Sequence, residues 1–377
     1  MPETNQTATQ ISRPSVTREK ENAVTSITPY TGDYILQNTV ITAILTADMS
    51  KAHYDELAGK YTIEYSEDLK IEITPAEIER DQNGDPLPPY YKTSTRKLWG
   101  YIMYTASKGI EEGRITLDFF EYCKYRKITP KKYAFDTFWK DISTLFDFKI
   151  NTSIYINGKN VFSMDSHIFS DKITKDEIMN TASEKRPVLL LSEKFNAMLT
   201  NPGEIIFYMP FTTDYLAIND RAHPHAYLLI WAINQHMRIN CDNKRKNLIS
   251  ISELLKKCVT LAKKEKIKAA RRNYTQKIRE PFENDMGYLS NSRGLKYEYA
   301  DNKGNVLKGE DLSFSEWEKS YILIKENPDY TGSDTITAAR KSKRIEAARK
   351  IKEDSGKVSE KLQNEKPQNA ENGVNTR

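Results

Sequence analysis

Residues 263–287 read KKEKIKAARRNYTQKIREPFENDMG, and their spacing sets up a helix with two unlike faces. At 100° per residue Ile267, Ala270, Tyr274, Ile278 and Phe282 fall on one side, as a helix that packs on a core requires. Lys268, Arg272, Gln276 and Arg279 fall on the other. The surrounding stretch from Lys256 to Arg279 carries ten basic residues against the single acid Glu265. A solvated helix face would interleave acids to form i,i+4 pairs, and their scarcity points to a polyanion instead. A helix of this kind in the major groove offers Arg and Gln to base edges, so Lys268, Arg272, Gln276 and Arg279 are the candidate base contacts. Lys263, Lys264, Lys266, Arg271, Asn273 and Lys277, at its start and flanks, are the candidate phosphate contacts. The pattern predicts a helix from about Lys264 to Met286.

Working outward, Ala226 to Met237 is an apolar helix and Ser250-Ile251-Ser252-Glu253 reads as a capping box opening another. Past the basic helix, Leu295, Tyr297 and Tyr299 lead through a turn holding Gly304 to Val306-Leu307, a hairpin whose Arg293, Lys296, Lys303 and Lys308 are further phosphate candidates. A closing helix is expected from a second capping box, Ser313 to Glu316, as far as Glu326. Three helices and a hairpin make the order of a winged helix.

The same order occurs once before. Thr95 to Ser107 has a helical stripe, Thr116 is expected to cap a short helix through Tyr125, and Thr129-Pro130 to open a longer one carrying Phe135, Phe138, Trp139, Ile142, Leu145 and Phe146. Asn157-Gly158 between Ile154–Ile156 and Val161–Met164 signals a tight hairpin. The outward positions of the longer helix, Tyr133, Thr137, Lys140 and Thr144, hold one charge, so Tyr133, Thr137 and Lys140 are assigned to DNA backbone or to a protein interface. A weaker basic concentration runs from Lys124 to Lys140. Between the copies a helix is expected at Ser192 to Leu199 and a strand at Glu204 to Met209. Ahead of them, Tyr61 to Ile73 alternates as a strand pair turning at Glu67-Asp68.

The expected architecture is α+β: 1–28 a disordered tail, 29–90 an N-terminal extension with short strands, 91–218 the first winged-helix module and link, 219–330 the second, and 331–377 a disordered basic tail. The 377 residues and 43.5 kDa accommodate two domains, and 38% apolar residues suffice for a core. No apolar run reaches the ~18 residues that span a bilayer. The polar N-terminus lacks a signal-peptide core, and Cys123, Cys241 and Cys258 form no Cys-x-x-Cys pair. A bacterial cytoplasmic location without membrane contact is expected.

Here the chain resembles the double winged-helix plasmid replication initiators that bind repeated origin sequences, the iterons. The likeness rests on IIFYMPFTTDYLAIND at 205–220 with HAYLLIWAINQHM at 225–237, on ISELLKKC at 251–258, and above all on NYTQKIREPFENDMG, where Tyr274, Lys277, Ile278, Arg279, Glu280, Pro281 and Phe282 match the family's recognition-helix pattern. It spans roughly Thr95 to Lys325; the first ~90 residues are longer than the family's. The resemblance implies binding to double-stranded origin repeats, opening of A·T-rich DNA, recruitment of a host initiator and replicative helicase, a monomer–dimer equilibrium and autorepression.

Two other classes compete. A rolling-circle nicking initiator would use His223-Pro224-His225 as a His-x-His metal site and a tyrosine nucleophile, but these histidines open an apolar helix and lack an acidic cluster. A winged-helix transcription regulator shares every physical feature and differs only in its target site. No Gly-x-x-x-x-Gly-Lys-Ser/Thr loop, Gly-x-Ser-x-Gly or His-Glu-x-x-His occurs. A binding protein without catalytic residues, metal or cofactor is the expectation.

Overall fold

In the computed structural model, residues 34–156, 158–170, 186–200, 206–240, 243, 247–264, 267 and 272–330 are described. The expectations for both tails, Asn157 and Cys241, and for Lys266, Lys268 and Arg271, lie outside those residues. The described residues all fall in one unit of the chain, Thr25–Arg340. It is a mixed α+β structure.

The chain enters as β1 (Tyr34–Gln37) and α1 (Thr39–Leu45), with Asn38 capping the helix by accepting from the Ile41 N–H at 2.8 Å. β2 (His53–Asp55), β3 (Lys60–Ser66) and β4 (Leu69–Ile73) form a meander, with the expected turn at Glu67-Asp68. After the irregular 81–90 come α2 (Thr93–Lys108), β5 (Arg114–Thr116), α3 (Phe119–Arg126), α4 (Lys132–Phe146) and the hairpin β6 (Phe148–Ile156) and β7 (Lys159–His167). The meander is joined to this hairpin: β4 pairs with β6, Ile71 opposite Ile150, in one antiparallel sheet ordered β2-β3-β4-β6-β7. Leu69, Ile71 and Ile73 are buried by that pairing, so the expected separation of 29–90 from the first module does not extend to the sheet.

Two helix starts differ from the sequence expectation. Asp118, not Thr116, caps α3, its carboxylate accepting from Glu121 N at 2.9 Å, while Thr116 is taken into β5. α4 begins at Lys132 rather than Pro130, because Lys131 stays extended and its N–H is turned to Thr129 O at 2.8 Å.

β8 (Val188–Leu190) pairs with β5, α5 (Glu193–Thr200) follows, and β9 (Phe207–Pro210) pairs with β1. The second half then runs α6 (Ala226–Ile239), β10 (Leu248–Ser250), α7 (Ile251–Lys257), α8 over 272–293, β11 (Lys296–Ala300), α9 (Phe314–Lys319) and β12 (Tyr321–Glu326). Ser313 and Glu316 form the expected reciprocal box at α9. At α7 the box does not form: Ser250 ends β10 and bonds Ser252, and Glu253 turns to Lys256. The closing helix is also shorter than expected. In Tyr321-Ile-Leu-Ile the two-residue alternation prevails, burying Ile322 and Ile324, and this strand, not Val306-Leu307, is the main partner of β11. Val306 forms only a bridge to Ala300.

From α2 to β7 and from α6 to β12 the elements share the order helix, strand, helix, helix, strand, strand, except that α9 intervenes between β11 and β12 in the second. The halves meet where Gly100 of α2 faces α6. A Cβ there would lie 2.1 Å from the Tyr227 hydroxyl, so the crossing has room only for hydrogen.

Candidate nucleic-acid interface

α8 opens at Arg272–Tyr274, passes through a π turn at Thr275–Arg279 and continues as Glu280–Arg293. Pro281 explains the π turn. It has no N–H and its ring crowds the carbonyl one turn back, so the helix widens just before it and Glu280 N–H bonds Thr275 O, five residues back. Gly294, at φ +70, ends the helix. Ile278, Phe282, Met286 and Leu289 are buried, and Phe282 meets the Trp317 ring at 5.3 Å. Tyr274, on the same stripe, packs on Phe314 at 5.4 Å. From Tyr274 onward the apolar side is where the periodicity places it. The helix opens at Arg272 rather than near Lys264, however: the described residues 262–264 and 267 are not α-helical, and Ala270 lies outside the described residues.

The outward side differs in part. Gln276, Lys277 and Glu280 are exposed and Asn273 is half-buried at the helix start. Arg272 contributes the first helical residue. Arg279, assigned to the outward face, is turned inward instead: its side chain is only 11% exposed, pairs with Glu283 at 2.8 Å, donates to Leu312 O at 2.6 Å and Gly309 O at 2.8 Å, and lies over Trp317. The π turn shifts residue 279 off the outward face. Lys263 and Lys264 are withdrawn from phosphate as well, by ion pairs with Asp48 and Glu318, Lys264 also lying over the Phe314 ring. Beyond the helix, Arg293 is held by Asp214 and Lys296 by Glu326, whereas Lys303 and Lys308 are exposed. Lys303 sits in a turn organised by Asp301, whose carboxylate accepts from the N–H groups of Lys303 at 2.8 Å and Asn305 at 2.9 Å; those bonds, with the Asn305 side chain foremost, lower its pKa.

In the first half, Tyr133 projects from the start of α4 with 82% of its surface exposed. Thr137 is half-buried and its hydroxyl bonds Tyr133 O at 3.0 Å, while Lys140 lies over the Tyr90 ring at 4.2 Å. Counting only outward helix positions misses Lys124, Lys127, Lys131 and Lys132, all exposed around that same helix start. The sequence signal was the Lys124–Lys140 concentration itself.

A buried carboxylate on the third helix fixes each half. Asp141 of α4 accepts from Thr95 Oγ1 at 2.5 Å and Ser94 Oγ at 3.2 Å in the first turn of α2. Asp285 of α8 accepts from the His225 N–H at 2.8 Å and bonds His223 Nδ1 at 3.0 Å at the start of α6. Burial raises the Asp141 pKa to about 6 against the pull of the two hydroxyls. His225 Nδ1 bonds Thr260 at 2.8 Å, burial lowers its pKa, and the His223 ring stacks on Tyr288 at 3.9 Å. These bonds give His223-Pro224-His225 a structural task, tying the start of α6 to α8, where the Asp285 carboxylate and not a histidine side chain accepts from the His225 N–H.

Among the described residues no helix is long and apolar enough to cross a membrane. No family model matches the chain, and no curated protein does. Among solved structures the chain is similar to the Pi initiator protein in complex with iteron DNA, at 10% identity over 79% of this chain and 100% of that one, with a TM-score of 0.42. It is also similar to domains 2 and 3 of RctB, at 12% identity over 75% of this chain and 97% of that one, with a TM-score of 0.39.

Proposed function

We propose that this protein binds double-stranded DNA at repeated sites of a plasmid origin and initiates replication there, using two winged-helix modules in tandem and no covalent catalysis of its own. The observation that carries the reading is α8: one face is locked into the core, while Gln276, Lys277 and Glu280 stand exposed at its N-terminal end. Gln can read adenine through two hydrogen bonds, Glu can accept from the cytosine amino group, and Lys277 suits a phosphate or guanine. In this reading β11 and the 301–305 turn form the wing, with Lys303 and Lys308 toward the backbone. The exposed lysines around the start of α4, together with Tyr133, give the first module a second, sequence-independent contact.

The finer parts of the proposal are a host initiator and helicase as partners, a monomer–dimer equilibrium and repression of the protein's own gene, in a bacterial cytoplasm. Footprinting on the DNA beside the gene tests the core reading. Protection of direct repeats next to an A·T-rich flank is the expected outcome. A lone protected palindrome at a promoter would mean a regulator, and a covalently attached, nicked strand would mean a nuclease.

A further inference from the structure

A cleft of about 1030 Å³ opens between the starts of α2 and α4 and the 217–221 segment that leads into α6, away from α8. Three carboxylates border it, and each is already answered. Asp220 is shared by the fully buried Lys97 ammonium and by Arg126 at 3.1 Å, Asp48 pairs with Lys263, and Asp141 is held by Thr95 and Ser94. The cations around the mouth are not answered. Lys92, Lys131 and Arg221 are exposed and have no carboxylate partner among the described residues, and Lys127 reaches Asp214 only at 4.0 Å.

The wall carries the same imbalance inward. Arg96, 4% exposed, and Arg126 both line the cleft, and the Nε of each is buried with no hydrogen-bond partner among the described residues. Both guanidiniums are committed to the protein, Arg96 to Leu45 O and Ala47 O and Arg126 to the Tyr122 hydroxyl and Asp220, so they give the wall positive charge, and the exposed Lys92, Lys131 and Arg221 are the donors open to an oxygen-rich anion. Flat aromatic surface stands beside the charge: Tyr133 is exposed at the mouth, and the half-buried Tyr90 lines the wall. The volume is that of a small-molecule site.

We propose that this cleft binds a nucleoside phosphate, with the phosphate among Lys92, Lys131 and Arg221 and the base against the Tyr133 ring. The nucleotide is either free or part of a strand, and the proposal stands apart from base reading by α8. The test is calorimetric titration of the full chain with ATP, AMP and inorganic phosphate at low salt. Saturable one-site binding of ATP and AMP is expected. The doubly substituted Lys131→Glu, Arg221→Glu chain should bind ATP at least about tenfold more weakly, through loss of charge-assisted contacts. Tyr133→Ala should weaken AMP and leave phosphate unchanged. All three positions are exposed, so thermal melts should match the parent. Lys131 and Tyr133 also belong to the proposed DNA contact of the first module, so a single Arg221→Glu chain separates the sources when duplex with the origin repeat is added: retention of ATP identifies a free nucleotide, and its displacement, with weaker DNA binding by Arg221→Glu, identifies a nucleotide within a strand. No saturable binding of ATP or AMP, or binding untouched by all the substitutions, overturns the proposal.

Discussion

The two halves follow a similar order of elements, with α9 added in the second, and use their cations in opposite ways. The second half has the densest basic run in the sequence, yet Lys263, Lys264 and Arg279 are consumed by Asp48, Glu318 and Glu283. The first half has fewer, and Lys131 and Lys132 stand exposed at the start of α4, with Lys124 exposed in the last turn of α3. Charge counted along a chain is therefore an upper bound on the charge a surface offers to DNA. A distant acid, such as Asp48 for Lys263, can answer a run that looks unanswered locally. The largest test of this contrast is Arg279→Ala. It removes an ion pair and two bonds to carbonyls behind a mostly buried guanidinium and should lower stability by about 3 kcal/mol. Denaturant unfolding would read the loss, with base discrimination by the folded fraction unchanged. Altered discrimination would return Arg279 to the reading face.

The buried carboxylates sharpen the comparison from the inside. The Asp141 pKa is raised to about 6, above the unfolded value near 4, so the folded state holds its proton more tightly than the unfolded chain does. Its contribution to stability is thus present below pH ~4 and lost as pH rises to ~6. A full shift of this size is at most about 3 kcal/mol. Asp141→Asn keeps an acceptor for Thr95 and has no charge to bury. The stability difference between this variant and the parent should grow in the variant's favour across that pH window. A constant difference from pH 4 to 7 would show that Asp141 is ionised throughout.

A smaller effect separates reading from positioning. Gln276→Ala should cost about 1 to 3 kcal/mol of DNA affinity at one base pair of the site and relax the preference there. Lys131→Ala should weaken all sequences alike. Competition binding against a panel of singly substituted sites distinguishes the two, and a sequence-selective loss in Lys131→Ala would make both halves readers.

Much of this was legible in the sequence, for reasons tied to local spacing. The apolar stripe of α8, the turn at Glu67-Asp68, the pairing of β6 with β7 and the Ser313–Glu316 box are set by neighbours within a few residues. What was not legible depends on distance or on alternative local bonds. Ser250-x-x-Glu253 satisfies the capping pattern, but β10 claims its serine for the sheet with β12. Tyr321–Glu326 carries apolar residues that suit a helix or a strand, and only the presence of β11 decides. The sequence pattern runs α8 straight through Pro281, and that a π turn there would carry Arg279 inward required Glu283, Gly309 and Leu312 to be in place.

The finest test sets two lysines of one charge run against each other. Lys277 is exposed on α8, whereas Lys264 is paired with Glu318 and only partly exposed. If Lys277 meets a phosphate, Lys277→Ala should flatten the plot of log affinity against log salt by about 0.9 while leaving stability within about 0.5 kcal/mol. Lys264→Ala should do the reverse, leaving the slope unchanged and lowering stability by at most about 1 kcal/mol, since a part-exposed pair is screened by water. Equal changes in slope from both would mean that the Lys264–Glu318 pair opens when DNA binds. The withdrawn cations of the second half would then be a reserve that DNA draws out, and its contrast with the first half would vanish in the complex.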